Sequence, residues 1–141
     1  MNLENLELSE ATPSNPYTGA ESIDIHDAAI AEAEANGLEV IVAQDNQLLL
    51  DIDSPEQEVQ FAANKDLLAA LWGIVNIQSW KSKSGIGRHV VIDLPQSLTH
   101  EQRIGLQAAM GSDGKREIIA MKRAEANDPR PSVLFKPKNL A

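Results

Sequence analysis

Residues 47–57, QLLLDIDSPEQ, place a short apolar strand directly against the start of a helix. The Leu and Ile run is typical of a buried strand, and the Ser, Pro and Gln that follow have the spacing of a helix cap. Side chains alternate along a strand, so Leu50 and Ile52 would face one side of a sheet and Asp51 and Asp53 the other. The segment predicts a strand followed by a helix, with two carboxylates on one strand face.

Further short strands and capped helices are predicted on either side of this segment. In chain order they are a helix from residue 23 to the C-cap Asn36-Gly37, strand EVIVA, the strand and helix above, strands VNIQSW and RHVVIDL, helices after Thr99 and Ser112, and edge strand SVLFK. The turn residues Asp45-Asn46 predict that EVIVA and QLLLDI form a β-hairpin.

This order contains the split βαββαβ pattern of ferredoxin-like folds. We therefore expect an α+β fold of the RRM or ferredoxin-like kind, with a mainly antiparallel sheet. Helices would cover one face of that sheet and leave the other face open.

The length of 141 residues and the apolar content of 43% suffice for one core. We expect one domain over residues 23–141. Residues 1–22 carry two prolines and several polar residues without periodicity, which predicts a flexible, disordered acidic arm.

The chain contains no cysteine, which excludes disulfides, thiolate metal sites and a cysteine nucleophile. No signal peptide and no membrane-spanning apolar run is evident. We therefore expect a cytoplasmic protein without a membrane partner.

The net charge of −9 is unevenly distributed. Residues 1–60 contain fourteen acidic and no basic residues, whereas residues 61–141 contain seven acidic and twelve basic residues. A chain of this kind can bind nucleotide or nucleic acid through its basic half, or a basic protein partner through acidic residues 1–60.

Asp51 and Asp53 are candidate ligands for a hard divalent cation such as Mg²⁺ or Mn²⁺, because such ions prefer oxygen ligands. The alternative is that they merely end the strand. In RHVVIDL, His89 and Asp93 would share the face opposite Val90, Ile92 and Leu94.

The preceding loop, KSKSGIGR, offers Lys81, Lys83, Ser84 and Arg88 as phosphate-binding groups. Glycines in such a loop let backbone N–H groups approach a phosphate closely. The alternative is a solvated hairpin with charged flanks.

Together, LLLDIDSP and SKSGIGRHVVIDL resemble motifs I and II of the archaeo-eukaryotic primase (prim-pol) superfamily, which includes plasmid and phage members. The resemblance covers residues 38–95 and implies a palm with an RRM-like sheet. It implies that Asp51 and Asp53 bind catalytic metal and that Ser84 and His89 hold nucleotide phosphates. Asp93 is the candidate third metal ligand, whereas Asp113 in GSDGKRE is predicted to cap a helix.

On the last helix Lys115, Arg116, Lys122 and Arg123 recur at seven-residue spacing and predict one basic side. That side could contact nucleic acid or could simply be solvated.

Three functions follow from these patterns. The first is a minimal primase-polymerase-like domain that binds metal and nucleotide and transfers nucleotidyl groups in DNA replication. The second is a catalytically inactive phage or plasmid protein that inhibits or adapts a nucleic-acid-processing partner. The third is a nucleotide hydrolase or regulator that uses the same carboxylates.

Overall fold

The computed structural model describes residues 19–82 and 85–138, with the backbone alone for residues 19–22. The predicted arm lies outside the described residues up to position 18. Residues 19–22 belong instead to the first helix, which begins four residues earlier than predicted.

The described residues form four helices and five strands in the predicted order α, ββ, α, ββ, α, α, β. They are α1 Gly19–Ala35, β1 Leu38–Val42, β2 Gln47–Ile52, α2 Pro55–Trp72, β3 Asn76–Lys81, β4 Arg88–Asp93, α3 His100–Ala109, α4 Gly114–Glu125 and β5 Val133–Pro137. The predicted mixed α+β class with antiparallel pairing is confirmed. Within this part of the chain, no helix combines the length and apolarity needed to cross a membrane.

The larger sheet has the order β2-β4-β3, and both pairings are antiparallel. The two strands that carry the sequence motifs, β2 and β4, are therefore adjacent. Their register places Asp51 directly opposite His89. One polar residue of each motif, Asp51 and His89, thus meet at one position of the sheet.

The hairpin predicted from β1 and β2 is wrong, because β1 pairs with β5 in a separate two-stranded sheet. Tertiary contacts hold the turn between β1 and β2. The backbone N–H groups of Leu94 and Leu98 donate to the carbonyl oxygens of Asn46 and Asp45, at 2.8 and 2.7 Å. The chain after β4 therefore satisfies this turn, and β1 is free to pair with a strand that lies far away in sequence.

The main core lies between α2 and one face of the larger sheet. Its strand side is formed by Leu48, Leu50 and Ile52 of β2 with Val90 and Ile92 of β4, all buried. From the helix side, Phe61 and Leu68 pack onto these strand residues. This arrangement confirms the predicted strand parity. Leu71 near the end of α2 and Val75 just after it do not join this core and are exposed.

The opposite sheet face was expected to be open, but it is partly covered. Leu49, Trp80 and Val91 on that face pack with Leu134 of β5 and with Ile41 of β1. The small sheet therefore acts as a second layer. Asp51 and His89 also lie on this face of the larger sheet.

The outer edge of β2 is closed by polar side chains of the α3–α4 region. We call Gln107, Ser112, Arg116 and Glu117 the edge network. Gln107 Oε1 accepts from Leu49 N at 2.9 Å, Ser112 Oγ accepts from Asp51 N at 3.0 Å, and Arg116 donates to Leu49 O at 2.8 Å. Side chains thus supply the hydrogen bonds that a neighbouring strand would otherwise supply.

Candidate metal centre

Three carboxylates converge at the end of β2. Asp51, Asp53 and Asp113 each offer an oxygen, and these oxygens all lie within 4.8 Å of one another. Asp51 and Asp113 are half-buried and Asp53 is exposed. The cluster therefore has one side toward solvent, from which an ion could enter.

Asp113 reaches this cluster as the N-cap of α4. Its side chain accepts from Lys115 N at 3.2 Å, and its own backbone N–H donates to Asp51 O at 2.9 Å. The predicted helix cap is confirmed. The sequence did not indicate the backbone hydrogen bond to β2, which brings Asp113 beside Asp51.

Gln57 ties the segments of the cluster together. Its Oε1 accepts from Asp53 N at 3.1 Å, and its Nε2 donates to Asp51 O at 3.0 Å and to Gly111 O at 2.9 Å. The capping-box spacing predicted a bond to the N-cap, Ser54, but the Gln57 side chain bonds the strand end and the α3–α4 turn instead. One side chain therefore fixes the backbone that carries Asp51 and Asp53 relative to the turn before Asp113.

The turn before β4 approaches this strand end closely. A Cβ added to Gly87 would lie 2.3 Å from Ile52 O and 2.5 Å from Asp53 Oδ1. Both distances are below van der Waals contact, so any larger residue would displace Asp53 or the turn. The glycine of the sequence motif is thus required by the packing of the carboxylate itself.

The proton affinity of the cluster is altered by burial and by neighbouring charge. Burial, and then the Asp53 carboxylate, raise the pKa of Asp51 from 3.8 to about 6. Burial, and then the Arg116 guanidinium, lower the pKa of His89. His89 Nε2 lies 3.5 Å from Asp51 Oδ1, and the ring makes an edge contact with Trp80. Near neutral pH the site therefore combines carboxylates with a neutral imidazole.

The raised pKa of Asp51 predicts a specific pH dependence of stability. Between pH 4 and 6 the native state holds a proton that the unfolded state has released, so the free energy of unfolding falls as pH rises through 6. Asp51→Asn should remove this cost. The free energy of unfolding of the variant minus that of the wild type should therefore be about 2–3 kcal/mol larger at pH 8 than at pH 4.5.

Urea unfolding at the two pH values, compared between variant and wild type, measures this effect. The comparison is needed because His26 and His89, whose pKa values are lowered by burial, change stability in the opposite direction. A constant difference between variant and wild type across this range would contradict the assignment.

The spacing of the carboxylates fits a single cation. Mg²⁺ and Ca²⁺ bind oxygens at about 2.0–2.6 Å, so opposite ligands of one ion are about 4–5 Å apart. The oxygens of Asp51, Asp53 and Asp113 all lie within 4.8 Å of one another, so one ion could contact all three. These residues would hold the ion, with remaining positions for water or for a ligand's oxygens.

Asp93, predicted as the third metal ligand, lies away from the cluster. It is at the other end of β4, opposite Gln47, whose Nε2 donates to its Oδ1 at 2.9 Å. Asp93 follows His89 by four residue steps of extended strand, which span about 13 Å. Asp113 occupies the third position instead.

Arg88 and Lys81 pair across the strands and lie on the other side of the sheet from His89. Arg88 binds Glu58 through two bonds of 2.8 and 2.9 Å and stacks over the Phe61 ring. The structure thus separates these predicted phosphate-binding groups from His89. Lys83 and Ser84, also predicted for that role, lie outside the described residues.

The predicted basic side of the last helix does not form. Arg116 belongs to the edge network, and Arg123 is buried, with its pKa lowered by burial. Lys115 and Lys122 are exposed. Residues seven apart share a helix face, but Lys115 and Arg116 are adjacent and therefore lie about 100° apart around the helix. The two arginines accordingly turn toward the protein while the two lysines face solvent.

Comparison with known proteins gives no relative from which these residues could be interpreted. The chain matches no protein-family model, no curated protein and no solved structure. The function of this chain must therefore be inferred from the geometry of the carboxylate cluster and from the motifs themselves.

Proposed function

We propose that this chain is a minimal primase-polymerase-like domain that binds a divalent cation, Mg²⁺ or Mn²⁺, and through it the phosphates of a nucleotide or nucleic acid in the cytoplasm. The observation that carries the proposal is the convergence of Asp51, Asp53 and Asp113 beside His89. The resemblance of both motifs to the prim-pol superfamily supports the same reading. Nucleotidyl transfer is the reaction that such a site would support.

Each residue has a defined part in this proposal. The carboxylates of Asp51, Asp53 and Asp113 hold the cation, and Gln57 fixes the backbone that carries them. When bound, the cation would neutralise phosphate charge and activate a hydroxyl nucleophile. His89, neutral near pH 7, can exchange hydrogen bonds with a phosphate oxygen or with water beside Asp51.

Metal binding by the full chain tests the proposal. Calorimetry with Mn²⁺ should give one site in the wild type, and Asp51→Asn with Asp53→Asn should remove it. Asp113→Asn should weaken binding, whereas Asp93→Asn, at the far end of β4, should leave it unchanged. Equal Mn²⁺ binding by the double variant and the wild type would refute the metal site.

The transfer reaction needs a separate assay. Extension of a primed DNA template with Mn²⁺ and deoxynucleotides should depend on Asp51 and Asp53. Metal binding without primer extension would indicate a metal-binding domain and would refute the nucleotidyl-transfer activity.

A second candidate function is a catalytically inactive adaptor or inhibitor that binds a basic protein. The observation that favours it is the internal use of Arg88, Arg116 and Arg123, which reduces the positive charge available to nucleic acid. Acidic residues 1–60 would then bind a basic surface of a nucleic-acid-processing partner, with an affinity that falls as salt rises. Absence of binding to DNA and RNA at low salt would favour this candidate over the first.

A further inference from the structure

A groove of about 440 Å³ opens beside the carboxylate cluster. Asp51, Asp53 and His89 are among the residues that line it, together with residues of α1. The volume lies within the range of about 300–1,000 Å³ that is usual for small-molecule sites. A ligand held by the cation at the cluster would therefore have a neighbouring space for the rest of its body.

The lining of the groove indicates what that body is. Phe135 and Pro137 contribute apolar surface, and Glu32 of α1 and Asn36, which directly follows α1, contribute polar groups. None of the described residues that line the groove is Lys or Arg. An anionic group would thus find no Lys or Arg here, so the anionic part of the ligand must lie on the cation and not in the groove.

We propose that this groove binds the nucleoside of a nucleotide whose phosphates are held through the cation, an inference that rests on the proposed function. An aromatic ring such as Phe135 is a stacking surface for a base. The Asn36 amide can both donate to and accept from a base edge, and the Glu32 carboxylate can accept from an exocyclic amino group. The helix α1, which lies outside the residues of both sequence motifs, thereby becomes part of the ligand site.

Comparison of two phosphate ligands tests the inference. In the presence of Mn²⁺, the full chain should bind ATP about 10-fold more tightly than inorganic tripolyphosphate, because stacking adds affinity only for the nucleotide. Ala29, an exposed residue of α1 that lines the groove, provides the variant. Ala29→Leu fills the groove and should lower ATP affinity to that of tripolyphosphate.

Ala31→Leu is the matched control, since Ala31 is exposed on the same helix and does not line the groove. It should retain the preference for ATP. Equal affinities for ATP and tripolyphosphate in the wild type, or equal effects of the two leucine variants, would overturn the inference and leave the metal site intact. If the wild type showed no Mn²⁺ binding that the Asp51→Asn and Asp53→Asn changes remove, the proposed function would be overturned instead.

Discussion

Glu117→Ala is expected to lower the free energy of unfolding by about 3–5 kcal/mol. The Glu117 carboxylate is buried and accepts from Gln107 Nε2 and Ser112 Oγ, each at 2.7 Å, and from Arg116 at 2.5 Å. Its removal leaves the largely buried Arg116 without its charged partner and deprives two buried polar groups of their acceptor. The edge network that satisfies β2 would lose its central member.

Glu125→Ala is the matched control on the same helix. Glu125 is exposed and lies 3.8 Å from Lys122, so its replacement should change the free energy of unfolding by about 0.5 kcal/mol or less. Urea unfolding followed by circular dichroism measures both variants. A similar small effect for Glu117→Ala would mean that β2 does not depend on the edge network.

Gln57→Ala is expected to weaken Mn²⁺ binding by about 10- to 100-fold, as is usual when a group that orients metal ligands is removed. Gln57 does not offer a ligand to the proposed ion. It bonds the backbone of Asp51, Asp53 and Gly111, and therefore sets the distances between the carboxylates. Calorimetry with Mn²⁺ measures the affinity of the folded variant.

Gln60→Ala provides the control, because Gln60 lies one turn further along α2 and donates to Ala108 O and Ala109 O of α3. It should reduce stability without changing Mn²⁺ affinity. The electron paramagnetic resonance spectrum of bound Mn²⁺ should also change in Gln57→Ala alone, which a general loss of stability would not produce. Identical affinities and spectra in the two variants would refute a positioning role for Gln57.

The order of helices and strands was predictable because it depends on local signals. Ser54 and Thr99 cap their helices through side-chain bonds that three-residue spacing indicates. Strand parity likewise predicted that Leu50 and Ile52 share one face of their strand and that Asp51 faces the other way, as His89 does on its own strand.

Strand pairing and the third carboxylate were not predictable from local signals. The pairing of β1 with β5 joins residues almost a hundred positions apart. Asp113 reaches Asp51 only because the α3–α4 turn docks on β2 through Ser112 and Gln57. Asp93 satisfied the same parity rule as His89, but parity gives the face of a sheet and not the position along the strand.

The closed edge of β2 also affects how molecules of this protein meet one another. A strand edge with free N–H and C=O groups can recruit a strand from another chain. In the native protein the edge network occupies these groups at Leu49 and Asp51. Detachment of the α3–α4 region would expose a continuous apolar strand, Leu48 to Leu50, with an unpaired edge. Variants that loosen the network should therefore self-associate through β2, because the network that holds the backbone of Asp51 also covers this strand edge.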